Sequence, residues 1–137
     1  MNGLNFNVVA VIVSALVPMI VGYFWYGPLF GAQWMKLVGV SKKDMEAKKA
    51  EMPKVYGMMF VGALIMSYVL SKFIILTGTG TLLTGAIIGF WAWLGFVATT
   101  QLARVLFMGT TWNLFLMDTG YNLVSLIIMG AILGYWR

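Results

Sequence analysis

The sequence predicts an all-α fold, an integral membrane four-helix bundle with one charged cytoplasmic loop helix, and three observations carry that expectation. First, 61% of the 137 residues are hydrophobic and 9% charged, with a mean hydropathy of +0.91. A soluble domain carries about a quarter charged residues, and a small one cannot hide this much apolar surface from water. Second, the charges are segregated. None occurs in residues 1–35 or 73–103, whereas Lys36 to Lys54 holds nine of the thirteen. Third, four stretches reach the roughly 20 apolar residues that cross a hydrocarbon core of about 30 Å. They form a single transmembrane domain over residues 1–137, with spans at about 5–26, 55–76, 82–103 and 113–136.

The first span contains runs such as Val8-Val9-Ala10-Val11-Ile12-Val13, which do not alternate as barrel strands do. It lacks the basic start and the short apolar stretch of a signal peptide, so it is read as a retained helix. Pro18 breaks its hydrogen-bond ladder, and Ser14, four residues earlier, is placed to satisfy the freed carbonyl. The loop 27–54 follows. Ser41 and Asp44 have capping-box spacing, opening a charged, solvated helix from Lys42 to about Met52 that Pro53 ends. Lys72 sits in the last turns of the second span and snorkels to the interface. Thr77 to Thr81, with Gly78 and Gly80, is a tight turn that makes spans two and three an antiparallel hairpin. A short link, Arg104 to Trp112, joins spans three and four, and Gly109 is a helix stop.

Lys and Arg near the membrane set orientation. Lys36, Lys42, Lys43, Lys48, Lys49, Lys54 and Arg104 lie on one side, and only Lys72 and Arg137 on the other. Seven against two places loop 27–54 in the cytoplasm and both termini outside, and argues against dual topology. The net charge of +5 is thus a topology signal, with no nucleic-acid partner implied.

Gly85 and Gly89 in span three recur as Gly130 and Gly134 in span four. Glycines four apart share a helix face and admit a second backbone, either each other's or that of another copy. Trp25, Tyr26 and Trp34 fall at the cytoplasmic end of span one, where interfacial anchoring accounts for them. A weaker echo relates Leu29-Phe30-Gly31-Ala32-Gln33-Trp34 to Leu106-Phe107-Met108-Gly109-Thr110-Thr111-Trp112, both after odd-numbered spans.

Asp118 is the one acid within a span, and an intramembrane charge costs about 2.5–3.5 kcal/mol on insertion scales. Asp118, Asn122 and Ser125 form a stripe at i, i+4, i+7, and span three offers Thr100, Gln101 and Arg104 at the same level. An Arg104–Asp118 pair would lock two helices together. The alternative makes Asp118 a protonatable or ligand-binding group.

The chain has no His and no Cys. Zinc sites built on them, histidine-ligated haem and His-based triads are therefore unavailable, and a single intramembrane acid makes no catalytic pair. No metal, no cofactor and no enzymatic activity are expected. The expected role is a structural or accessory subunit working through helix contacts, in the lipid bilayer and as a homo-oligomer or part of a larger membrane complex. The alternative is a small oligomeric transporter or channel using the polar site around Asp118.

Trp25-Tyr26-Gly27-Pro28-Leu29-Phe30-Gly31-Ala32-Gln33-Trp34, then Trp93-Leu94-Gly95-Phe96-Val97-Ala98-Thr99-Thr100, then Leu116-Met117-Asp118 through Leu123-Val124-Ser125-Leu126-Ile127-Ile128-Met129-Gly130-Ala131-Ile132, resemble the bacterial membrane family of domain of unknown function 1761. The matches keep their order over almost the whole chain. The resemblance implies a small four-helix protein of the bacterial inner membrane and lends no activity. Near Arg104 the family's usual Asn is replaced, so the resemblance does not imply an Arg104–Asp118 pair.

Overall fold

The computed structural model describes residues 6–78 and 80–136, all of its regular elements being helical. Asn5, at the start of the first expected span, and Arg137 lie outside the described residues, as does Thr79 in the expected turn. The elements are α1 (Val8–Phe24), α2 (Gly31–Val38), α3 (Lys42–Ala47), α4 (Met52–Leu76), α5 (Leu82–Ala92), α6 (Thr99–Met108) and α7 (Trp112–Tyr135). Two π-helical segments interrupt them, Trp25–Leu29 after α1 and Trp93–Ala98 between α5 and α6. Four continuous helices, Val8–Leu29, Lys49–Leu76, Leu82–Met108 and Trp112–Tyr135, are long and apolar enough to cross a membrane.

The starts of α1, α3, α4 and α7 have local causes. Asn7 caps α1 through a 3.1 Å bond from the Ala10 N–H, and Thr111 caps α7 through a 3.2 Å bond from Leu114. Such caps satisfy amide donors that the first turn leaves orphaned. Ser41 and Asp44 close a reciprocal capping box on α3, at 3.2 and 3.0 Å. That helix is shorter than expected, because the chain tightens into a 3-10 turn at Lys49–Glu51. Pro53 does not end that helix as expected but sits in the first turn of α4, where proline's missing N–H costs nothing. Glycines in the left-handed region stop α2 at Gly39 (φ 81°) and α6 at Gly109 (φ 71°).

The packing departs from a simple hairpin order. Helix α5 packs chiefly on α7, and α1 packs on both α4 and α7. Although a short turn with Gly78 at φ 73° joins α4 to α5, these two helices touch little. Glycines decide this. A Cβ on Gly85 would collide with the Gly130 carbonyl oxygen, one on Gly89 with that of Leu126, and one on Gly134 with that of Thr81. Gly85, Gly89, Gly130 and Gly134 therefore bring α5 and α7 into backbone contact inside one chain. Lipid tails are as apolar as leucine, so close approach of this kind, more than hydrophobic burial, holds helices together in a bilayer. The apolar core lies between α1, α4 and α7, around Ala10, Val11, Val17, Leu70, Ile74, Leu126, Met129 and Leu133.

Within that core Ser67 donates to the Val11 carbonyl at 2.9 Å. The hydroxyls of Ser14 and Ser125 are buried with no hydrogen-bond partner. Ser14 thus does not serve the proline break as expected. Separately, α7 reaches across to α1, where Tyr121 donates to the carbonyl of Pro18 itself at 2.7 Å, not to the Ser14 carbonyl that the proline frees. Lys72 places its ammonium over the rings of Phe6 and Tyr68, at 5.2 and 5.1 Å.

Candidate functional site

The polar centre of the molecule is built on the start of α7, where three consecutive residues each accept a bond from an aromatic donor. The Trp25 indole N–H donates to the Met117 carbonyl at 3.0 Å. The Tyr26 hydroxyl donates to Asp118 Oδ1 at 2.6 Å. The Trp93 indole N–H donates to the Thr119 carbonyl at 2.8 Å. The next residue makes this possible: a Cβ on Gly120 would stand 3.2 Å from Trp25 Cζ2. Gly22 does the same for Tyr121, whose ring a Cβ there would approach to 3.3 Å.

Each tryptophan is the first residue of a π-helical segment. An i→i+5 turn widens the helix and turns the side chain on its rim away from the α-helical path. In the first segment, the Phe30 N–H reaches the Trp25 carbonyl at 2.9 Å. In the second, Thr99 and Thr100 donate to the carbonyls of Gly95 and Phe96, both at 2.7 Å, satisfying acceptors at the loosened turn. The rings interlock around Tyr26, with Tyr121 at 5.3 Å and Trp34 at 5.7 Å, both edge-on. Trp25, Tyr26 and Trp34 therefore act inside the bundle, beyond the anchoring role the sequence suggests.

The expected polar cluster is brought together only in part. Gln101, Arg104 and Asp118 line one cavity of about 10 Å³, with Val105, Thr110, Leu114 and Phe115. No ion pair joins Arg104 to Asp118; the guanidinium donates to Gln101 Oε1 at 3.2 Å instead. Asn122 binds the backbone carbonyl of Asp118 at 3.1 Å and not its carboxylate. Thr100 is turned to its own helix, and neither Thr100, Asn122 nor Ser125 lines the cavity. Tyr26 is the partner that sequence reasoning missed. It stands 92 positions from Asp118, so no local pattern joins them. A usable signal was the shared Trp-x-Gly at Trp25-Tyr26-Gly27 and Trp93-Leu94-Gly95, which marks both π segments.

A second, larger feature is an open cleft of about 350 Å³ between α4 and the third long helix, backed by α7. Met66, Val69 and Phe73 form one wall, Phe96 and Val97 the other, and Leu126 the floor. Among the described residues, no group of three His, Cys, Asp or Glu gathers to hold a metal ion.

Neither curated proteins nor solved structures give a match to this chain. One family model does match, over residues 9–134, a stretch that takes in both π segments, Asp118 and both glycine faces. The chain belongs to the family described as Protein of unknown function (DUF1761).

Proposed function

We propose that this protein is a non-enzymatic accessory subunit of the bacterial inner membrane that holds a transmembrane helix of a partner, or of a second copy, along its third span. The observation that carries this reading is the apolar cleft of about 350 Å³ beside that span. Uncovered apolar surface is normal in a bilayer, but an unfilled cleft forfeits dispersion contacts along both walls. A preformed helix regains them without the ordering that a flexible acyl chain must undergo. Span three is also the least covered of the four, with 11% of its most apolar stretch buried against 28% to 39% for the others. Phe96 and Phe107 remain 66% and 87% exposed on it. The glycine faces are occupied within the chain, so docking falls to this uncovered side.

In this reading the lysine-rich loop 27–54 faces the cytoplasm and both termini face outward, following the seven-to-two bias of Lys and Arg. The cavity at Asp118 is small, about 10 Å³, which favours docking along the larger cleft over a solute site at Asp118. Cross-linking through a single cysteine tests the proposal, because the native chain has none. A Phe96→Cys variant in native membranes should give a discrete higher-mass product, lost when Ala92→Trp fills the cleft. A monomer in mild detergent that also yields no such product in membranes would overturn the docking role.

A further inference from the structure

We propose that the π-helical turn Trp93–Ala98 is a hinge on which α6 swings as an arm, opening and closing the apolar cleft beside α4. This inference goes beyond the docking reading and stands without it, since the arm belongs to the lone chain.

The two ends of the third span are held in different ways. Helix α5 buries Gly85 and Gly89 in backbone contact with α7. The Trp93 indole then donates to the Thr119 carbonyl at 2.8 Å. Among the described residues, it is the last side chain of this span to bond another helix. Beyond it, Thr99 donates to the Gly95 carbonyl at 2.7 Å, and Thr100 to those of Phe96 and Val97 at 2.7 and 3.0 Å. Arg104 likewise stays within the span, donating to Gln101 at 3.2 Å. Neither the π turn nor α6 contains a buried residue. A helix pinned at one end and lightly held at the other pivots at the junction. That junction is also where the ladder is weakest. A π turn bends a helix, and so do hydroxyls bonded to the carbonyl four residues earlier. Here the two coincide.

The first π turn is an internal comparison. Trp25–Leu29 opens on the same Trp-x-Gly, but its second residue is Tyr26, fastened to Asp118 Oδ1 at 2.6 Å. Trp34, on the helix that follows, packs edge-on against the Tyr26 ring at 5.7 Å. That turn is fixed on both sides. In the second turn Leu94 stands in the place of Tyr26; it has no donor to offer and is 40% exposed. The motion matters because the hinge is itself a wall of the cleft. Phe96 and Val97 face Met66, Val69 and Phe73 across it, with the Phe73 and Phe96 rings 6.4 Å apart. Closing the arm regains dispersion contacts that the separated walls lack, and an occupant of the cleft holds it open.

The test uses the full chain, one copy per lipid nanodisc, with paired spin labels on a protein that has no native cysteine. Met58→Cys with Phe107→Cys reports α4 against α6, and Leu76→Cys with Ile87→Cys reports α4 against α5; all four positions are exposed. The expected result is two distance populations for the first pair and one for the second. Ala92→Trp, which fills the cleft, should abolish the shorter-distance population. Deleting Gly95 removes the extra residue that separates i→i+5 from i→i+4 bonding, and should leave a single population. One narrow population for the Met58 and Phe107 pair would overturn the hinge, and so would two populations for the control pair. Two populations that survive the deletion would refute its placement at the π turn. Two that survive Ala92→Trp would break its link to the cleft. Since the first readout leaves hinge and cleft unaltered, a variant that fails to fold leaves the proposal open to refutation.

Discussion

Tyr26 occupies the centre of the site because it reaches an acceptor no other described side chain meets, the carboxylate of Asp118 at 2.6 Å, while Trp34 and Tyr121 confine its ring. Tyr26→Phe keeps that packing and removes the bond. It should lower stability by roughly 0.6–1.7 kcal/mol, the range of interhelical hydrogen bonds in membranes, read from thermal unfolding in detergent. Asp118→Asn keeps an acceptor for Tyr26 and should cost less. Outside the spans, Asp44 gives a pH-dependent prediction. The Ser41 backbone N–H and then the Ser41 hydroxyl hold its carboxyl below the ordinary 3.8. A depressed folded value means that the capping contribution is complete above pH 3.8 and is lost as pH falls through the lower value. Amide chemical shifts of Lys42–Ala47 should therefore report loss of helix at strongly acid pH, and Asp44→Asn, which cannot titrate, should remove that transition. The capping box was legible from Ser41 and Asp44 because it is a local, three-residue relation. The Tyr26–Asp118 bond was not, because hydropathy places both residues at one level of the membrane without saying which way a side chain turns. The sequence reading therefore offered Arg104 as partner, from the neighbouring span.

At the scale of helices, the α5–α7 contact rests on backbone approach, so one added methyl there should do disproportionate harm. Gly85→Ala forces a Cβ into the Gly130 carbonyl, which cannot swing aside as a flexible side chain would. A loss of about 1–3 kcal/mol is expected from such overpacking. Gly62 in α4 is the control, since a Cβ there meets nothing within 4 Å. Gly62→Ala should be neutral or stabilising by up to about 1 kcal/mol, because alanine is the better helix former. Parallel melts of the two variants in one detergent decide the matter, and equal behaviour would refute backbone contact at Gly85. The four-residue glycine spacing made these faces visible, and so did the long apolar runs that became the spans. Sequence left open whether the faces meet each other or a second copy, since either arrangement uses the same pattern. It also suggested that the short Thr77–Thr81 turn makes spans two and three close neighbours. A turn fixes only where two helices meet, and the glycines draw α5 away to α7. The π segments escaped notice because hydropathy is blind to a change from i→i+4 to i→i+5 bonding.

For the whole molecule, the separation of charge and the four apolar helices together imply a direction of insertion. Lys36, Lys42, Lys43, Lys48, Lys49 and Lys54 crowd the side of α2 and α3, joined there by Arg104, while the α4–α5 turn, the start of α1 and the end of α7 share the opposite end of the bundle. Positive segments are retained in the cytoplasm, so the α4–α5 turn should be exposed outside. The native chain contains no cysteine, and each single-cysteine variant reports one position only. Gly80→Cys should react with a membrane-impermeant maleimide added to intact cells. Ala47→Cys, exposed in α3, should react only after the membrane is opened. Reversed labelling would invert the proposed topology and move Asp118 and its cavity to the outer half of the bilayer. Labelling of both variants in intact cells would mean mixed insertion, which a seven-to-two charge bias is expected to suppress. The native orientation would also fix where a partner must approach. The uncovered α6 surface, ending in Phe107 and Met108, would then meet its partner at the cytoplasmic face, beside the lysine-rich loop.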